Sequence, residues 1–241
     1  MTMTRRGLFG AILISMMILM TACRQTVTPE EVTYGPGSVV PDELLEKYGI
    51  DSFFVCMEIP DVIFEFMQGR SYKSDCTISR SDLRYLFILH RDLEGQSVVG
   101  ELVVNKKISA DILEIMRKLY ELSYPIESVR LIDYFDADDV KSMEANNTSC
   151  FNWRLQSGSA SNSKHAMGMA IDVNPLYNPY YKFPYVNRTV EPSVAEPYMD
   201  RMWDFPYKTE ENDACCRAFA EHGFRWGGDW KSLKDYQHFE K

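Results

Sequence analysis

Apolar positions in this chain fall into short runs of changing period, and each period predicts an element. The first run, Leu8 to Met20, is continuous, follows Arg5 and Arg6, and stops short of the roughly 20 residues a membrane-spanning helix needs. Phe53 to Ile59 predicts a strand ended by Pro60, and Asp61 to Met67 a helix closed by Gly69. Leu83 to Leu89 predicts a strand, Asp92 to Gly95 a turn, and Val98 to Asn105 the returning arm of a hairpin. The clearest helix is Ser109 to Leu122, with Ser109 as N-cap and Ile112, Ile115, Met116, Leu119 and Leu122 on one stripe. Val129 to Tyr134 predicts a strand. Asp136 to Ala145 predicts a short helix whose Asp138 and Asp139 are solvated or capping acids, and Phe151 to Leu155 a strand. Met169 to Val173 predicts a buried strand with Ala170 and Asp172 on one face. Asn174 to Pro206 is aromatic and proline-rich with no period, as expected of a wall or lid over a site. Thr209 to His222 predicts a helix capped by Thr209 and closed at Gly223. Phe224 to Trp226 predicts a last strand before the Gly227-Gly228 turn. Strands and helices mix without βαβ alternation, which predicts an α+β fold: a mostly antiparallel sheet with flanking helices.

The N-terminal run changes the domain plan. Thr21-Ala22 precede Cys23, so residues 1–22 are expected to be a lipoprotein signal peptide, with lipid added to the Cys23 thiol. Residues 23–50, polar with scattered Pro and Gly, are expected to be a tether, and residues 51–241 one domain. This predicts an exported bacterial lipoprotein, membrane-anchored and facing the periplasm or cell surface. Losing Arg5 and Arg6 takes the formal charge from −9 to −11. So acidic a chain has no electrostatic reason to bind nucleic acid or anionic lipid surfaces. Beyond Cys23 the cysteines are Cys56, Cys76, Cys150, Cys215 and Cys216, an odd set. A Cys56–Cys76 bridge is compatible with export, but no pairing follows from sequence.

Candidate chemistry rests on the histidines, of which there are four. His90 ends an apolar run, and His222 precedes Gly223 where a polar cap is expected. His165 and His238 each have a well-placed carboxylate, Asp172 and Asp235. Gly168 lets the chain turn after His165. An Asp in a strand as apolar as Met169 to Val173 needs a strong partner, and a metal ion supplies one. Two imidazoles and a carboxylate, with an open fourth position and a nearby base, make the donor set of a catalytic zinc site.

His165, Asp172 and His238, with Ser163 before the first histidine and Asp235 before the last, resemble the zinc D-alanyl-D-alanine carboxypeptidase and L-alanyl-D-glutamate endopeptidase family, which shares its fold with the Hedgehog signalling domain. Gly100 to Asn105, Asn146 to Ser149, Phe151 to Arg154, Asn174 to Tyr180 and Gly227 to Trp230 are similar to its VanY-like branch. The resemblance implies a Hedgehog/DD-peptidase-like fold, Zn2+ held by His165, Asp172 and His238, and Asp235 as general base. It implies peptidoglycan stem peptides as substrate. Arg154 is the candidate to stabilise an oxyanion or hold a substrate carboxylate, and Ser163 to hydrogen-bond substrate. Glu240 is expected beside the metal ligands, and Tyr177, Tyr180 and Trp230 are candidates to line the groove. The bond cut stays open: Asp235 and His238 lean toward the endopeptidases, the Asn-Pro and Gly-Gly-Asp-Trp patterns toward the carboxypeptidases. A Hedgehog-like binding module without turnover is the alternative of another class.

Overall fold

The computed structural model describes residues 34–154, 163–182 and 189–241. The signal segment, Cys23, the start of the tether and Leu155 lie outside the described residues. Among the described residues no helix is long and apolar enough to cross a membrane.

Structure begins before Asp51, where the tether was expected to continue. Gly37 N donates to Val99 O at 2.7 Å, Val40 N to Ser97 O at 2.8 Å, and Val99 N to Ser38 O at 2.9 Å. This segment satisfies backbone groups at the end of a sheet edge that would otherwise be open, and it buries Val40. Helix α1 (Asp42–Tyr48) follows.

The first sheet is the main body of the molecule. Its order is β1 (Val55–Met57), β2 (Leu83–Arg91), β3 (Ser97–Asn105), all antiparallel. The β2–β3 hairpin is in register from Leu83 opposite Asn105 to Arg91 opposite Ser97. Every residue of β3 is buried, Glu101 at its centre included, so the alternation of a one-sided strand is absent. Helix α2 (Asp61–Met67) has the expected bounds. Helix α3 (Ser109–Glu121) packs Ile112, Ile115, Met116 and Leu119 against β2. Leu122 falls off that stripe and is exposed, because the helix stops one residue before it. Ser109 is not the N-cap: Ile108 holds that position, and Ser109 Oγ donates back to Lys106 O.

The second half is built from much shorter pieces. The pair β4 (Ser128–Val129) and β5 (Asn147–Thr148) is parallel. The strand expected to run on to Tyr134 gives way to a single turn of tight helix at Ile132–Phe135. Helix α4 (Asp139–Glu144) is capped by the Asp138 carboxylate, which accepts from Lys141 N. Residues 151–154 form no strand. One antiparallel sheet has the order β6 (Ala170–Asp172), β11 (His238–Glu240), β9 (Arg225–Trp226). Another has the order β10 (Leu233–Asp235), β7 (Tyr180–Lys182), β8 (Thr189–Glu191). The stretch 174–206 therefore carries two strands, together with the tight-helix turn Ser193–Met199. Helix α5 (Ala214–Glu221) starts later than expected. Asp213 caps it by accepting from Cys216 N at 2.7 Å, while Thr209 N donates to Asn178 Oδ1. Phe219 of α5 stacks on Phe239 of β11, ring centroids 4.1 Å apart. The five described cysteines are free, and Cys56 and Cys76 do not pair.

Candidate metal centre

Two antiparallel strands and one turn bring the predicted ligands together. In the β6–β11 register Asp172 lies directly opposite His238. His165 sits in the single-turn helix His165–Met167, closed by Gly168 at φ 64°. A Cβ at Gly168 would lie 2.7 Å from the backbone N of Asn105, so a side chain is excluded there on two counts. The turn is hung on the end of β3: Asn105 N donates to Gly168 O at 2.9 Å, and Asn105 Nδ2 to Met167 O at 3.0 Å.

The three ligand atoms form a nearly equilateral triangle. His165 Nε2 is 3.2 Å from Asp172 Oδ1, His238 Nδ1 is 3.1 Å from the same oxygen, and the two nitrogens are 3.2 Å apart. A tetrahedral zinc site with bonds of about 2.0–2.1 Å has edges of about 3.3 Å. The outward nitrogens fix the tautomers. His165 Nδ1 is 2.8 Å from the carbonyl oxygen of Cys150, which can only accept, so that nitrogen carries the hydrogen. His238 Nε2 faces Glu240 Oε2 at 3.4 Å, again an acceptor. Both inward nitrogens are then lone pairs, aimed with a carboxylate oxygen at one point. Three lone pairs within 3.2 Å call for a cation, and this donor set fits Zn2+ with room for one further ligand. The same convergence attracts protons. Burial alone would raise the Asp172 carboxyl, but the two imidazoles outweigh it and hold it well below the usual carboxylate range. Burial alone would lower His238, yet Asp172 and Glu240 push it up to about 10.

Asp235 ends β10, and Tyr236-Gln237 carry the chain round to His238. The two residues thus flank a turn between strands. Asp235 as a whole is half-buried, but its Oδ1 is shut off from solvent with no hydrogen-bond partner. Burial raises its carboxyl; His238 opposes that and Asp172 adds to it, leaving it at about 7. Gly227 makes room for this residue, since a Cβ there would come within 2.8 Å of the Asp235 Cβ. Trp230 closes the side, its ring 5.4 Å from that of His238.

The remaining candidates divide. Ser163 Oγ accepts from His165 N at 3.2 Å, so it shapes the turn that delivers the first ligand. Arg154 forms an ion pair with Asp139, with both side chains partly exposed. Asn152 Nδ2 donates to the same Asp139 carboxylate at 2.8 Å, and Asn152 N to His165 O at 3.2 Å. Asp139, expected to be a solvated or capping acid, is instead the partner of Arg154, and no spacing in the sequence links the two. Glu240 stands where expected and is itself paired with Arg225 at 2.6 Å. Tyr180 lies opposite Asp235 in the β10–β7 register. Tyr177 belongs to an aromatic block behind it, 4.6 Å from Tyr198 and 5.2 Å from Tyr207. His90 and His222 are outside the centre. His90 Nδ1 faces Ile126 O at 2.6 Å, and His222 Nδ1 faces Asp111 at 3.3 Å.

This donor set, together with the family likeness of the C-terminal part of the chain, supports a zinc metallopeptidase acting on peptidoglycan. Residues 157–241 match the model of a family described as D-alanyl-D-alanine carboxypeptidase. The match takes in Ser163, His165, Asp172, Asp235, His238 and Glu240, while Arg154 and Asp139 precede it. No solved structure matches the chain.

Proposed function

We propose that this protein hydrolyses the stem peptides of bacterial cell wall as a D-alanyl-D-alanine carboxypeptidase, with Asp235 as the general base. The observation that carries the reading is the triangle of His165, Asp172 and His238 with a buried, raised carboxyl three residues before the last ligand. A bound zinc ion supplies the charge that polarises a peptide carbonyl and lowers the pKa of water to about 7. Asp235 takes a proton from the attacking water and returns it to the leaving amine. A base near pH 7 is matched to both transfers. Arg154, oriented by Asp139, offers a guanidinium that can pair with the terminal carboxylate of a D-Ala-D-Ala peptide or with a developing oxyanion. Ser163 keeps its own hydroxyl hydrogen to donate to substrate while it accepts from His165 N. The N-terminal segment, with lipid on Cys23, would hold the enzyme at the membrane facing the wall.

The test is a digest of purified muropeptides read by mass spectrometry, with and without chelator. Chelator-sensitive loss of the terminal D-Ala is expected. Cleavage between L-Ala and D-Glu would move the protein to the endopeptidase branch. No cleavage under any divalent metal would leave a zinc-stabilised wall-binding module.

A further inference from the structure

The aromatic block beside the centre is larger than the metal chemistry needs, and part of it faces water. Tyr198 and Trp203 are parallel, their planes 6° apart and centroids 6.2 Å apart, and Phe205 packs on both at 5.0 and 5.7 Å. Trp203 is nevertheless 53 % exposed. The ring is exposed but its support is fixed. Arg201 holds the turn beneath it through four hydrogen bonds, to Tyr177 O, Tyr198 O, Asn178 Oδ1 and Thr209 O. Trp203 N donates to Asp200 O, and Met202 N to the Asp200 carboxylate. The block is continuous with the centre. Arg201 lies 4.4 Å over the ring of Tyr236, in the turn between Asp235 and His238, and Asn178 Nδ2 donates to Asn174 O just beyond β6.

We infer that Trp203 and Tyr198 form a sugar-stacking platform for the glycan backbone of peptidoglycan, beside the groove that takes its stem peptide. The inference rests on the reading that peptidoglycan is the substrate. A pyranose ring offers a flat face of C–H groups to an aromatic face and a rim of hydroxyls to acceptors. A pre-positioned aromatic supplies that contact area at small entropic cost. Charge selects the sugar over a lipid surface. From Ser193 to Asp213 there are six acidic residues against Arg201 and Lys208. Arg201 is consumed by the turn, Lys208 is paired with Glu210 at 2.6 Å and Asp213 caps α5, so the charge left beside Trp203 is that of Asp200 and Asp204. An acidic rim repels anionic headgroups, whereas carboxylates accept hydrogen bonds from sugar hydroxyls.

The test uses the zinc-loaded full chain in nanodiscs of neutral lipid, since none of the probes carries a peptide to cleave. The probes are glycan strands stripped of stem peptides by an amidase and with the exposed lactyl carboxylates capped as amides, chitotetraose, and vesicles containing anionic lipid. The wild type is expected to bind the strands and the tetrasaccharide. Trp203→Ala should weaken binding at least ten-fold at unchanged melting temperature, and Trp203→Phe should restore most of it. Absence of strand binding by the wild type, equal binding by Trp203→Ala, or binding confined to vesicles each overturns the proposal. The peptidase reading fails separately: strands bound by a protein that cleaves no muropeptide would sink that reading and leave the platform standing.

Discussion

Two acids sit in equally apolar strands of this molecule and meet opposite fates. Glu101 lies in the middle of β3, fully buried, where Tyr85 donates to its Oε2 at 2.6 Å. Asp172 lies in β6 between two imidazoles. Burial dominates at Glu101 and, despite the hydrogen bonds of Tyr85 and Tyr134, raises its carboxyl to about 7. At Asp172 the imidazoles outweigh burial and the carboxylate stays ionised. A buried acid in an apolar strand is therefore not in itself a ligand. Neutral hydroxyl donors stabilise it modestly and let it take up a proton; imidazoles, which donate to it once protonated, hold it charged.

The sharpest way to break this contrast is to remove one nitrogen. His165→Ala should abolish stoichiometric zinc on metal analysis and lower peptide cleavage by about a thousand-fold or more. The circular dichroism of the β1–β3 sheet should be retained. Loss of the whole fold instead would mean that the two regions are one structural unit.

Asp235→Asn should keep the zinc and lose about 10²- to 10⁴-fold in turnover. In the wild type, turnover should fall as pH drops below about 7, because a proton then occupies the base. The residual activity of the variant should lack that limb. Loss of zinc from this variant would make Asp235 a ligand or a support for one.

Glu101→Gln tests the other acid. With a folded value near 7 against an ordinary 4.5, the folded wild type keeps a proton that the unfolded chain has released across that window. Wild-type stability should therefore fall relative to the variant between pH 4.5 and 7, by on the order of 3 kcal/mol, and stay level above. Urea unfolding of both proteins at pH 4.5 and 8 measures it; parallel pH profiles would refute it.

The smallest expected effect is at Glu240→Gln. Weakening the acceptor behind His238 Nε2 should cost about ten- to a hundred-fold in zinc affinity by competition titration. An unchanged affinity would show that the ring is oriented by Trp230 and strand pairing alone.

The same contrast explains what could be read from the sequence. The β2–β3 hairpin and helices α2 and α3 were legible because their periods run long enough to count, and the centre because its donors cluster in two motifs. The buried state of Glu101 was not legible. Gly100-Glu-Leu-Val-Val reads as apolar around an acid just as Met169 to Val173 does, and only the facing tyrosines distinguish them. The strands inside 174–206 were missed because three-residue strands have no measurable period. The start of α5 was misplaced because Thr209 and Asp213 are both good caps. Asn178 decides between them by capturing Thr209 N from a distant loop. Arg154 was named without its partner, since nothing local points to Asp139.

The attachment of the His165 turn to the end of β3 couples metal release to the hairpin. The amide of Asn105 is held by Gly168 O, and its side chain by Met167 O. Swinging His165 away from the ion pulls on both bonds, so opening of the centre and fraying of the sheet end become a single event. Hydrogen exchange at the Asn105 amide would then serve as a built-in clock for zinc dissociation, slow in the loaded protein and fast once the ion has left.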